Sequence, residues 1–131
     1  MAIKKKDLEI VALVFWCALI FFFSSIPNLS SGLEQDFILR KIAHVSEFFV
    51  LTFLVWLVVR RREKGRKMAV LVAFAFALDY AILDEIHQLF IFGRSGNMID
   101  VSIDCIGVLA AALILLLVRR QNKRTASRAV L

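Results

Sequence analysis

Four apolar runs, each close to the roughly 20 residues that a helix needs to cross a bilayer, take up most of the chain. They extend from about Leu8 to Ile26, Ile42 to Val59, Met68 to Phe92 and Met98 to Val118. Inside hydrocarbon every backbone polar group must find its partner within the protein, so such runs fold as helices. The residues between them are breakers or charges: Pro27 and Asn28, then Arg60, Arg61 and Arg62, then Gly93, then Arg119 and Arg120. In 131 residues this leaves no room for a separate soluble domain. The expectation is an all-α membrane protein, a single domain over residues 1–131, with four transmembrane helices in an antiparallel bundle.

Composition supports this reading. Hydrophobic residues make up 60% of the chain, against about 45–50% in soluble domains, and a small domain cannot hide that excess in one core. The net charge of +6 would suit nucleic acid or an anionic surface, so its distribution decides. Of the 17 Lys and Arg residues, 14 lie in the amino terminus, the stretch from Arg60 to Lys67, and the carboxy-terminal tail. With four spans these three segments share one side, and the positive-inside rule makes that side, with both termini, cytoplasmic. No stretch interleaves aromatic and basic residues to stack on nucleotides, so no nucleic-acid partner is expected. The partners in view are membrane lipids, another membrane protein or a second copy.

Lys4, Lys5 and Lys6 resemble the start of a signal peptide, but only Ser24 and Ser25 precede the bulky Ile26, with no small-x-small cleavage site. The first run is expected to remain as a helix. Cys17 and Cys105 sit alone inside apolar runs and read as packing residues. In the first outer loop, Ser30 or Ser31 ahead of Glu34 forms a capping-box pattern, followed by Leu33, Phe37 and Ile38. That suits a short interfacial helix or a tilted extension of the second span. The second outer loop, Gly93 to Asn97, is a tight turn that makes the third and fourth helices an antiparallel pair.

The charges inside the runs carry the functional information. Glu47, Asp79, Asp84, Glu85, Asp100 and Asp104 fall within or at the mouth of spans, together with His44 and His87. A charged Asp near the centre of a spanning helix costs about 2.5–3.5 kcal/mol on insertion scales. All except Asp79 come within roughly 12 Å of the outer end of their helix at 1.5 Å per residue. They form one shallow outward layer, with Asp79 near the midplane as a packing or proton-relay residue. Helical spacing groups Lys41 with His44 and Glu47, Asp84 with His87 and Gln88, and Asp100 with Asp104. Below Asp104, Gly107 and Ala111 continue the stripe with small residues that admit a neighbouring helix. Such a layer either locks a bundle together or forms a site.

The run Lys41-Ile42-Ala43-His44, then Asp84-Glu85-Ile86-His87-Gln88, then Gly93-Arg94-Ser95-Gly96 with Asp100, Asp104 and Gly107, resembles the VanZ-like family of small bacterial membrane proteins. The resemblance covers about residues 20 to 112, and its specificity lies in combining DE-x-x-Q with F-x-x-GR-x-G and a following Asp. It implies a multi-pass protein of the bacterial cytoplasmic membrane, tied to the cell envelope and, through the founding member, to low-level resistance to the glycopeptide teicoplanin. The family's polar positions fall on Lys41, His44, Asp84, Glu85, Gln88, Arg94 and Asp100. Two positions depart from the pattern: Asp104 stands where Asn is usual, and Arg40 where Asp is common.

Two functional readings follow. In one, the outward site takes an anionic lipid head group such as a lipid-linked phosphate. Arg40, Lys41 and Arg94 would then grip phosphate oxygens, with Glu47, Gln88, Asp100 and Asp104 completing the binding site. His44, Asp84, Glu85 and His87 would be the candidates for acid–base work. Asp84, His87 and Asp100 are donor types that suit a divalent metal, but no metal signature is present, and no cofactor or metal is expected. In the other reading the bundle is a non-enzymatic structural or regulatory partner of a larger membrane complex. Ion-coupled transport would need Asp79 to carry the polar layer inward.

Overall fold

A computed structural model of the chain describes residues 4–27, 36–63, 65–94 and 96–128, with only the backbone of residues 36, 37 and 119–128. Four helices follow one another: α1 (Lys5–Ser24), α2 (Asp36–Val59), α3 (Arg66–Gln88) and α4 (Met98–Arg128). No strand occurs among the described residues. By length and composition Lys5–Ser24, Ile38–Val59 and Met98–Val118 can cross a membrane. Helix α3 has 23 residues, a spanning length at about 1.5 Å per residue, but Asp79, Asp84 and Glu85 interrupt its apolar run.

Helix α4 continues past Val118 to Arg128, and two further limits, both beside the polar layer, depart from those read in the sequence. Ile38 and the residues just before it belong to α2 itself, so the run ahead of Ile42 extends the second helix. Helix α3 stops at Gln88, short of Phe92. Beyond it the backbone turns through Phe90 N–H to His87 O at 3.0 Å and Arg94 N–H to Ile91 O at 3.1 Å. The turn that follows depends on glycine. Gly93 adopts φ 76, a left-handed conformation that favours glycine, and the chain folds back so closely that a Cβ on Gly96 would strike the Glu85 carbonyl and the Leu89 side chain. The capping pattern at Ser30, Ser31 and Glu34, and Ser95 of the turn, lie outside the described residues.

Contacts between helices fix their directions. Glu9 near the start of α1 accepts from Arg61 at 2.8 Å and from Arg60 at 3.4 Å beyond the end of α2. Midway, Trp16 Nε1 donates to the Glu47 carbonyl at 3.0 Å, so α1 and α2 run antiparallel. Tyr80 Oη donates to the Cys17 carbonyl at 2.8 Å and Ser25 meets His87, so α1 and α3 run parallel. Helices α2 and α4 pair start to start through Lys41 with Asp100 and His44 with Asp104. Consecutive helices therefore alternate in direction. Among the described residues α2 packs on all three others, while α1 contacts only α2 and α3.

The core is a seam of large residues from α1 and α2 against small ones from α3. Ile20, Phe48, Leu51 and Val55 are buried against Ala73, Ala77 and Ala81, with Val108 from α4. Alanines four apart form a smooth stripe on one face of α3, and small residues are what allow helices to pack closely where lipid supplies no hydrophobic drive. Gly107 does the same on α4: a Cβ there would collide with the Val45 carbonyl of α2. The outside is apolar, with Phe15 at 63%, Leu83 at 62% and Leu113 at 55% exposure, as suits a surface bathed in lipid. At the end opposite the polar layer, Trp56 lies under the guanidinium groups of Arg60 and Arg66 at 4.8 and 5.8 Å, and Arg66 donates to the Leu115 carbonyl.

Candidate functional site

The polar residues gather where the starts of α2 and α4 meet the ends of α1 and α3. Lys41 and His44, three residues apart on α2, face Asp100 and Asp104, four apart on α4. The helical periods match, so two bridges form side by side: Lys41 Nζ with Asp100 Oδ1, and His44 Nδ1 with Asp104 Oδ1 at 3.1 Å. Asp104 is fully buried, while Lys41 and Asp100 are about a fifth exposed at the rim.

Helix α3 contributes from its last two turns. Asp84, Glu85 and Gln88 are all buried, and Gln88 Nε2 donates to Asp84 Oδ2 at 2.9 Å. Glu85 reaches across the turn to accept from the Asn97 backbone N–H at 2.8 Å. Its other oxygen, Oε1, and Asp104 Oδ2 are buried with no hydrogen-bond partner among the described residues. One donor atom each from His44, Glu85 and Asp104 lies within 4.8 Å of the others. This trio differs from the donor set suggested by spacing, because His87 turns away from the carboxylates. It stacks on Phe21 with ring centroids 4.5 Å apart and meets Ser25 Oγ at 2.9 Å.

Arg94 is held by α1. Its Nε donates to the Ile26 carbonyl at 3.2 Å and its Nη2 to the Phe23 carbonyl at 2.7 Å. Phe23 is in the last turn of α1 and Ile26 lies just beyond it, a region where carbonyls have few internal donors and carry partial negative charge. A guanidinium has five N–H donors, so this anchorage leaves others for a ligand. Partial burial, reinforced by the nearby Arg40, lowers the pKa of Arg94 from its ordinary value; the guanidinium remains charged at neutral pH.

Two cavities flank His44. One, of about 230 Å³, is bounded by Ser24, Arg40, Glu47, Asp84 and Arg94 as well as His44. The other, of about 200 Å³, is bounded by Arg40, Lys41, Gln88, Arg94 and Asp100 as well as His44. Arg40 and Arg94 thus border both. Of the residues singled out by sequence, His87 lies along neither wall, and Glu85 and Asp104 sit behind His44. Asp79 is exposed on the outer face of α3 and does not continue the layer inward. Helical spacing offered no sign of Ser24, a buried side chain in the first cavity, or of Asn97, which serves through its backbone. Ser24 closes an apolar run and Asn97 sits in a turn, so neither belongs to a helical polar stripe.

Fold and site together define an integral membrane protein built of several apolar helices, with an ionisable layer at one end of the bundle. Residues 9–119 match the VanZ/LLP1 family model, and the chain belongs to that family. It is 35% identical over 96 residues to the uncharacterized membrane protein YwnJ of Bacillus subtilis (strain 168), an alignment that takes in 67% of this chain and 62% of that protein. The chain therefore spans less than two thirds of the length of that relative. No solved structure matches it.

Proposed function

We propose that the protein is a four-span protein of the bacterial cytoplasmic membrane, with α3 as a full span and both termini cytoplasmic. Its outward cavities bind the anionic head group of a membrane lipid, such as a lipid-linked phosphate of the cell envelope. The observation that carries this reading is the shared border of Arg40 and Arg94 on both cavities. Phosphate oxygens suit guanidinium donors, and the apolar walls supplied by Ile20, Phe23 and Ala43 suit the first methylenes of a chain that enters from the bilayer. Lys41, Glu47, Gln88, Asp100 and Asp104 shape the site, and His44, Asp84 and Glu85 are the groups placed for proton transfer. His87, held by α1, serves packing under this reading. The connection to envelope function and to teicoplanin-type resistance comes through the family.

The test is native mass spectrometry of the protein purified in its own lipids. A co-purifying phospholipid or polyprenyl phosphate that is lost in Arg40→Gln and Arg94→Gln supports the reading; wild-type protein free of anionic lipid defeats it.

A second, non-enzymatic reading is favoured by how many polar groups are spent on holding helices together. Lys41 is bridged to Asp100 and Arg94 is bonded to α1. In that case the layer is a docking and packing device for a larger membrane complex or a second copy. It predicts that the same variants lose their partner in cross-linking and keep their lipid.

A further inference from the structure

We propose that His44, Glu85 and Asp104 form a binding site for one divalent cation of the zinc or manganese class. It rests on different side chains from the arginines that carry the lipid reading: Glu85 and Asp104 lie behind His44, which borders both cavities, and with an ion bound His44 and Glu85 serve as ligands, which leaves Asp84 for proton transfer.

Three observations converge. The first is geometric: α2, α3 and α4 each contribute one donor, and the donor atoms lie within 4.8 Å of one another. Bonds of about 2.0–2.2 Å from nitrogen and oxygen to zinc place neighbouring donors roughly 3–4 Å apart, so a side-chain adjustment of about 1–2 Å, shared between two residues, closes the set. Bundle interiors hold metals in this manner, with ligands projecting from facing helices.

The second observation concerns unused capacity. Glu85 is 4% exposed and Asp104 0%, yet Glu85 Oε1 and Asp104 Oδ2 have no hydrogen-bond partner among the described residues. A buried carboxylate oxygen without a partner is costly. Two such oxygens beside an imidazole are unexplained by packing, and a cation would satisfy both. The second oxygen of Glu85 accepts from the Asn97 N–H, the kind of outer contact that orients a ligating carboxylate.

The third observation is charge. Within the layer Glu47, Asp84, Glu85, Asp100 and Asp104 are acidic. The permanent cations among the described residues bordering it are Arg40, Lys41 and Arg94. With His44 neutral, as a metal ligand must be, fully ionised carboxylates leave an excess of two negative charges. One divalent ion cancels it. One imidazole with carboxylate donors suits zinc or manganese, and His44, which borders both cavities, leaves the remaining coordination positions accessible from them.

The experiment uses the purified full-length protein in detergent, stripped with a chelator and titrated with Co²⁺, whose visible absorption reports a nitrogen and oxygen site, and then with Zn²⁺. The expected result is one equivalent bound, displaced by Zn²⁺ and removed by chelator. Asp104→Asn and Glu85→Gln are expected to weaken binding by at least about tenfold, while Asp79→Asn, on the exposed face of α3, and His87→Ala keep wild-type affinity. Should the variants fold poorly, the wild-type protein decides through stoichiometry and a melting temperature that rises with metal. Helical, monodisperse wild-type protein that takes up neither ion overturns the proposal, as does undiminished binding by both Asp104→Asn and Glu85→Gln.

Discussion

His44 Nδ1 stands 3.1 Å from Asp104 Oδ1, joining α2 to α4 through an acid that is completely buried. Lys41 and Asp100 repeat the link at the rim, so the two helices are fastened along one stripe. The inner link carries more weight because solvent cannot replace it. Removing one partner from a buried pair leaves the other uncompensated, at about 3–5 kcal/mol. His44→Ala is therefore expected to lower unfolding stability in detergent by about that amount, and Lys41→Ala by much less. Coupling in the cycle built on His44→Ala and Asp104→Ala is expected at about 1–3 kcal/mol. Additive single effects would show that the two residues act separately.

Arg94 is the only contact of its kind between the tight turn and α1 seen among the described residues, with donors to Phe23 O and Ile26 O. A lysine keeps the charge but lacks the planar fork that reaches two carbonyls at once. Hydrogen bonds from a charged group contribute about 1.5–3 kcal/mol each, and the partly exposed position places the loss toward the low end. Arg94→Lys is expected to speed hydrogen exchange in the turn that follows α3 and at the end of α1, leaving the Trp56 end unchanged. Uniform acceleration across the chain would contradict a local latch.

Much of this arrangement was legible from spacing. Lys41 with His44 and Asp100 with Asp104 fall on matched helical faces, and the small residues at Gly107 and Ala111 marked where α4 is approached. Asp84 and Gln88, four apart, do bond to each other. The choice of neighbour was not legible. Asp84 and His87 are three residues apart, close enough in helical angle to suggest one face, yet His87 falls to the side that meets Phe21, because the position of α1 decides which of two adjacent faces is the interior. The metal trio was hidden for the same reason. His44, Glu85 and Asp104 come from three helices, and no spacing within one helix relates them.

Gly107 tests how tightly the layer depends on helix approach. A Cβ at this position runs into the Val45 carbonyl, which is backbone and cannot swing aside. Overpacking of this type costs about 1–3 kcal/mol, and here it would also separate His44 from Asp104 one turn above. Gly107→Ala is expected to lower the melting temperature in detergent, and Gly107→Val to lower it further or prevent accumulation. Gly65, where an added methyl group would meet nothing within 4 Å, provides the contrast: Gly65→Ala is expected to melt like the wild type.

Whether α3 crosses the bilayer can be decided from its two ends. Gly65 precedes it in open space and Phe92, 84% exposed, follows it. The cost of burying Asp84 and Glu85 falls when they face the bundle interior and lie near one end, as both do, so Asp79 on the outer face is the principal obstacle to insertion. In the proposed orientation the 14 Lys and Arg residues assigned to the Gly65 side favour insertion with that side cytoplasmic by the positive-inside rule. In a background of Cys17→Ala and Cys105→Ala, a membrane-impermeant thiol reagent applied to intact cells is expected to label Phe92→Cys and to spare Gly65→Cys until the membrane is opened. Labelling of both from outside, or of neither, would mean that α3 lies along one face of the membrane, and the outward site would then have to be redrawn with only three spans.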